Sequence, residues 1–388
     1  MPRSTSPPVA FHAPMKPPDD PRPSGDRRMA RALMEGLSRA GYSPFLASSF
    51  KSRDGAGDPA AQTRLIETAE VEAARLIDRL RADPPACWLT YHCYYKAPDL
   101  LGPRVAAALG IPYVLVEASH APGRRDGPHA VFARAAEDAI RAADLILQPN
   151  PDDPPAVAPL LKPGARQEAL PPFIDTEPFR SADRAAARAR LAAAHGLDPA
   201  ACWCVTAAMM RPGAKSRSYA VLAAALRTLT PDAGRWHLIA AGDGPARAEV
   251  AAMFTDLPES RLLSMVGVEA VADLFAAGDI FVWPAVSEAF GFALIEAQTA
   301  GLPAIVGDRP GPRSLVRAGE TALLAPEGDA GAFAAALRQL VSNPDRRLAM
   351  GRAARDHADR RHGMAAGADH LRRALDGLTG RVSGRVQP

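Results

Sequence analysis

Ile280-Phe281-Val282-Trp283-Pro284-Ala285-Val286-Ser287-Glu288-Ala289-Phe290-Gly291-Phe292-Ala293-Leu294-Ile295-Glu296-Ala297 is the most informative stretch of the chain. Its first four residues are apolar, β-branched or aromatic, and read as a short buried strand that Pro284 ends. Two glutamates follow, eight positions apart. On one continuous helix they would lie about 80° and 12 Å from each other. Pro284 and Gly291 instead predict a loop that ends near Phe290, with a helix starting there. Glu288 then falls on the loop and Glu296 about two turns along the helix. The free N–H groups of that first turn form a site suited to a phosphate. Taken alone, the two glutamates also fit a helix-start charge and a solvated helix face.

The same rhythm extends in both directions. Downstream, Gly301-Leu302-Pro303 leads into the strand Ala304 to Val306, and Ala322 to Leu324 follows. Upstream lie the strands Trp203 to Ala207, His237 to Ala241 and Leu262 to Val266, with helical patterns between them, and Gly242-Asp243-Gly244-Pro245 turns the chain after the second. The first half repeats the pattern with strands Val9 to His12, Cys87 to Tyr91, Ile111 to Val116 and Leu145 to Leu147. Strands alternating with helices predict parallel, doubly wound sheets. At roughly 150 residues per domain, 388 residues allow about 2.6 domains. Nine prolines between 149 and 178 interrupt the rhythm and mark the passage from one domain to the next. The expected architecture is α/β, two tandem Rossmann-like domains with ligands in the interdomain cleft at the carboxyl ends of their strands.

With these motifs in this order, the chain resembles the retaining GT-B glycosyltransferases of family 4, whose mark is two glutamates spaced as Glu288 and Glu296. The resemblance is strongest over residues 200–345. It implies that Glu288 approaches the donor sugar hydroxyls and that Glu296 holds the ribose of the nucleotide. Phe290, Gly291 and Phe292, Gly242, and Val266 are expected beside the nucleotide. Lys215, in Arg211-Pro212-Gly213-Ala214-Lys215 after the first strand of the second domain, matches the family's phosphate-binding lysine. Only five of the 46 basic residues are lysines, so a lysine at this position is not this chain's default cation. The partner arginine departs from the pattern: Met210 stands in its usual place, and Arg211 or Arg217 is left to supply the charge, Arg211 being preferred. In the first domain, Gly25 on the loop after the first strand is expected to let backbone approach the donor phosphates, or to be a plain helix start capped by Ser24 or Asp26. His120 resembles in placement the histidine beside the reacting sugar. Tyr91-His92-Cys93-Tyr94-Tyr95-Lys96 also ends a strand with groups suited to an acceptor, or to packing.

The implied reaction is transfer of a sugar from a nucleoside diphosphate sugar to an acceptor hydroxyl of a glycan or lipid-linked acceptor, with retention. No D-x-D triplet occurs, so no metal and no resident cofactor is expected. The expected division is 1–170 for acceptor binding, 171–352 for the nucleotide sugar, 353–376 as a helix returning to the first domain, and 377–388 as a tail. Two alternatives stay open, a catalytically silent subunit of the same fold and an NAD-dependent oxidoreductase. The second needs G-x-G-x-x-G or a small residue at its end, where Gly242-Asp243-Gly244-Pro245-Ala246-Arg247 places an arginine.

Composition narrows the setting. The net charge is +3, but residues 346–388 carry ten arginines against four aspartates, which is +6, so everything before them sums to −3. No nucleic-acid partner is expected from that balance, and a basic tail suits at most a weak peripheral contact with an anionic membrane. Cys87, Cys93, Cys202 and Cys204 stand in apolar runs without metal spacing and are expected to be buried thiols. With no apolar leader at Met1 and no apolar run of membrane length, a cytoplasmic protein is expected.

Overall fold

The computed structural model describes residues 6–22, 24–229, 234–263 and 268–380. The chain divides into two compact units. One comprises the residues up to Phe173 together with those from Met364 onward, and the other is Ile174–Gly363.

The first unit is built on β1 (Pro8–His12), β2 (Ser43–Ser48), β3 (Cys87–Cys93), β4 (Tyr113–Ala118), β5 (Leu145–Gln148) and β6 (Arg166–Ala169). They lie in the order β2-β1-β3-β4-β5-β6, all parallel. The second is built on β7 (Cys202–Ala207), β8 (Trp236–Ala241), β9 (Ser260–Leu263), β10 (Ile280–Trp283), β11 (Ala304–Asp308) and β12 (Ala322–Pro326). Their order is β12-β11-β10-β7-β8-β9, again all parallel. Central strands of such sheets are buried on both sides, which is why they read as near-continuous apolar runs. Strand order reverses between β1 and β3 in the first sheet and between β7 and β10 in the second. Connections leave these strand pairs in opposite directions, so a crevice opens at their carboxyl ends.

In the first unit alternate strand residues, including Ala10, Trp88, Tyr113, Leu115 and Ile146, join Ala73 and Leu76 of the helix Pro59–Leu80 and Ala136 and Ile140 of Ala130–Ala142. Asp99 is the polar centre of this unit. Its carboxylate accepts hydrogen bonds from Thr90 Oγ1 at 2.5 Å, Tyr113 OH at 2.8 Å, and the backbone N–H groups of Leu101 and Gly102 at 3.0 and 2.9 Å.

The structure differs from the sequence reading in three places. β2 and β6 went unread: both are edge strands, β6 has only half-exposed or exposed residues and no apolar run, and β2 has a short apolar stretch, Phe45 to Ala47, between a proline and serines. Residues 148–180 are therefore not only a passage, since β6 lies inside them. The helix expected over 353–376 is two helices, Pro344–His362 in the second unit and Met364–Thr379 in the first. Gly363 takes extended backbone (φ −74°, ψ 158°) and bridges to Ile174, whose N–H donates to His362 O. Of the strand expected over Leu262 to Val266, Leu262 and Leu263 lie in β9, and the rest, with Val266, lies outside the described residues.

Candidate active site

The reversal point of the second sheet brings Lys215 and Glu288 together. β7 ends at Ala207, and after the turn at Gly213 (φ 91°) the helix Ala214–Arg227 begins, with Lys215 in its first turn. β10 ends at Trp283 and runs into the loop that carries Glu288. Lys215 Nζ hydrogen-bonds and ion-pairs with Glu288 Oε2. Trp283 Nε1 donates to the same oxygen at 3.2 Å, and Lys215 Nζ stands 5.2 Å from the centre of the Trp283 ring. A half-buried cation is thus held between a carboxylate and the face of an indole.

The loop is fixed from several sides. Val286 N donates to Ser218 Oγ at 2.9 Å, and Ser287 N to Glu327 Oε1 at 2.8 Å. Ala285 and Ser287 adopt φ of 53° and 52°, strained for residues with a side chain. Gly311 is required beside them, because a Cβ there would overlap Ala289 O. The helix expected from Phe290 starts at Phe292 and runs to Thr299, so Glu296 sits little more than one turn along it. Glu296 is only 3% exposed. Phe290 and Phe292 meet edge to face at 5.5 Å, with Gly291 (φ 142°) between them.

Met210 is fully buried in the core, which explains why no charge stands there. Arg211 is exposed, and its carbonyl accepts from Ser216 N and Oγ at the start of the helix. Arg217 reaches the glutamate loop, donating to Ser287 Oγ at 3.3 Å. Gly242 lies against the segment after β7, where a Cβ would overlap Ala208 O.

In the first unit Gly25 is the first residue of the helix Gly25–Arg39, whose cap Ser24 accepts from Arg27 N at 3.2 Å. His120 follows β4, and both its ring nitrogens are engaged: Nδ1 with Ala156 O at 2.9 Å and Nε2 with Glu137 Oε1 at 3.1 Å. Among the described residues no group of three or more His, Cys, Asp or Glu side chains is placed to hold a metal ion, and no helix is long and apolar enough to cross a membrane.

Residues 214–357, which contain Lys215, Glu288 and Glu296, match the family model "Glycosyl transferases group 1". The D-inositol 3-phosphate glycosyltransferase of Rhodococcus jostii is 32% identical over 207 residues, covering 50% of this chain and 44% of that protein. The chain thus spans less than half the length of that relative. Sucrose-phosphate synthase from Thermosynechococcus elongatus superposes with a TM-score of 0.71 at 18% identity, covering 97% of this chain and 100% of that one. HepE of Anabaena, solved in complex with UDP-glucose, gives 0.70 at 16% identity, covering 96% and 100%. These likenesses show the fold, which is GT-B.

Sequence reasoning did not find Trp283 as a contact of Glu288, nor Ser218 and Glu327 as supports of its loop. Nothing local marks them, since each acts across 5 to 68 positions of chain. In the first unit, Glu137 binds His120, Arg125 at 2.6 and 3.0 Å, and Arg141 at 3.2 Å. Burial works against its charge, but the hydrogen bonds from Arg125 and His120 outweigh it and hold the carboxyl below its ordinary range. A depressed carboxylate stabilises the fold above its unfolded pKa of about 4.3 and loses that contribution as pH falls through the folded value. Glu137→Gln is therefore expected to be less stable than the parent at pH 7, with the gap closing in acid. Urea midpoints at pH 7 and pH 3 check this, and an equal gap at both would refute it.

Proposed function

We propose that the chain is a retaining glycosyltransferase that moves a hexose-type unit from a nucleoside diphosphate sugar to an acceptor hydroxyl. The observation that carries this reading is the Lys215–Glu288 contact at the reversal point of the second sheet, within the segment that matches the family. Breaking a nucleotide-sugar bond develops negative charge on the departing diphosphate. A fixed ammonium, the guanidinium of Arg217 or Arg211, and the N–H groups of two helix starts stabilise that charge most in the transition state. Lys215 exchanges Glu288 for the incoming phosphate, and the freed carboxylate accepts from the donor sugar hydroxyls. In front-face substitution the bond from the anomeric carbon to the phosphate oxygen breaks, that carbon bonds the acceptor oxygen, and the acceptor proton leaves on the diphosphate. No enzyme nucleophile is needed.

Glu296 holds the ribose in this reading, with Gly242, Phe290, Gly291, Phe292 and Val266 beside the nucleotide. The first unit supplies the acceptor groups, Gly25 the approach to the donor phosphates, and His120 a positioning role through Glu137. A structural neighbour solved with UDP-glucose makes uridine the first base to test. Calorimetric titration with UDP, GDP and ADP is expected to give binding by one of them. Glu296→Ala should weaken it by about 10-fold or more, the worth of a hydrogen bond to a charged group. An unchanged Kd in a variant with unchanged Tm would remove Glu296 from the site.

A further inference from the structure

A second cluster of ionisable side chains lies where β1, β3 and β4 end, at the reversal point of the first sheet. Asp26 comes from the first turn of the helix after β1, His92 from the end of β3 and Glu117 from the end of β4. His92 Nδ1 lies 3.4 Å from Asp26 Oδ1 and 4.0 Å from Glu117 Oε1. That nitrogen is shielded from solvent, yet the side chain as a whole keeps 16% exposure, so the open edge of the ring is the one bearing Nε2. Tyr91 meets the ring edge-on at 5.8 Å and Tyr94 lies tilted against it at 4.8 Å, which restricts its rotation.

The backbone there is held against its preference. His92 (φ 67°) and Glu117 (φ 61°) are left-handed, at a cost of about 1–3 kcal/mol each. The other positive-φ residues with side chains among the described residues are Ala285 and Ser287, which closely precede Glu288 in the second unit. Such strain is kept where side chains must be aimed. Here it turns an imidazole so that two carboxylates stand behind one nitrogen, at 3.4 and 4.0 Å, and the other faces outward.

The ionisable groups around the ring are Asp26, Glu117 and, from the segment after β5, Asp153; Lys16 acts on Asp26, and Tyr91 on Glu117. Burial disfavours the imidazolium, but Glu117 and Asp26 outweigh it and raise the His92 pKa. The outward group is thus an N–H donor over an extended pH range. With three carboxylates against one imidazolium and one ammonium, the surroundings oppose an anion and suit a neutral oxygen.

We propose that His92, backed by Asp26 and Glu117, donates from Nε2 to a hydroxyl oxygen of the carbohydrate substrate. This rests on the glycosyl-transfer reading. His92→Phe is expected to lower kcat/KM for donor turnover, measured with UDP-, GDP- and ADP-glucose, by about 10²-fold, the usual loss for one aimed donor. His92→Gln, which keeps an amide N–H, should recover at least a tenth of the parent rate. Affinity for the free nucleoside diphosphate should stay within twofold in both. The double variant Asp26→Asn, Glu117→Gln should lower the His92 pKa read by NMR of its Cε1–H and move the alkaline fall of the rate to lower pH. Turnover by His92→Phe within twofold of the parent overturns the proposal, as does an equal loss of nucleotide affinity or Tm. Failure of the parent protein to turn over any of the three donors overturns the transfer reading itself, and the proposal with it.

Discussion

Lys215→Ala is expected to slow donor turnover by about 10²–10³-fold, equivalent to roughly 3–4 kcal/mol, and to change nucleotide affinity far less. The asymmetry follows from when the ammonium is needed. In the free protein its charge is already matched by Glu288 and the indole of Trp283, so ground-state phosphate gains little from it. As the sugar bond breaks, charge accumulates on the diphosphate and the lysine becomes its nearest fixed counter-charge. Arg217 does not replace it, because it is exposed and directed at Ser287 Oγ and Glu327. Removing the ammonium also leaves Glu288 without its cation. Lys215→Arg should restore only part of the rate, since a planar guanidinium does not seat between carboxylate and indole as a point charge does. Single-turnover rates alongside calorimetric Kd values decide the matter. A rate within a few-fold of the parent, or a loss wholly in Kd, would end the assignment.

Asp99→Ala is expected to destabilise the first unit by about 3–5 kcal/mol. The substitution strands the hydroxyls of Thr90 and Tyr113 and the N–H groups of Leu101 and Gly102, all in the interior. It also loosens Trp88, whose Nε1 donates to Thr90 Oγ1 at 2.8 Å. Trp88 is the one tryptophan of that unit, Trp203, Trp236 and Trp283 belonging to the other. In a variant with those three replaced by phenylalanine, fluorescence follows the first unit alone. A urea midpoint shift worth less than about 1 kcal/mol would show that the network contributes little.

The candidate site of the second unit was legible because its chemistry is local. Glu288, Gly291 and Glu296 fall within nine consecutive positions after a strand, and Lys215 follows a glycine turn that opens a helix. What brings Lys215 to Glu288 is the pairing of β7 with β10, which the alternation of elements implies but no local pattern states. The edge strand β6 lacks an inward apolar run, β2 has only the short stretch Phe45 to Ala47, and the break at Gly363 is made by Ile174, far away in sequence. The two strand-end histidines differ for the same reason. His92 and His120 look alike as letters, and only Glu137, Ala156, Asp26 and Glu117 make one fully engaged and the other open on one edge.

The passage of the chain from Phe173 to Ile174 and back from Gly363 to Met364 sets an order of assembly during synthesis. The second unit is one uninterrupted segment and can close as soon as it is made. The first cannot, because its helix Met364–Thr379 packs on Gly25–Arg39, with Tyr42 OH donating to Asp376 Oδ1 at 2.7 Å, and that helix is made last. Until then the apolar side of Gly25–Arg39 and Phe173 lack their cover. The later-numbered unit is therefore expected to mature first on the ribosome, and the half of the protein translated earliest to be the half most dependent on chaperones.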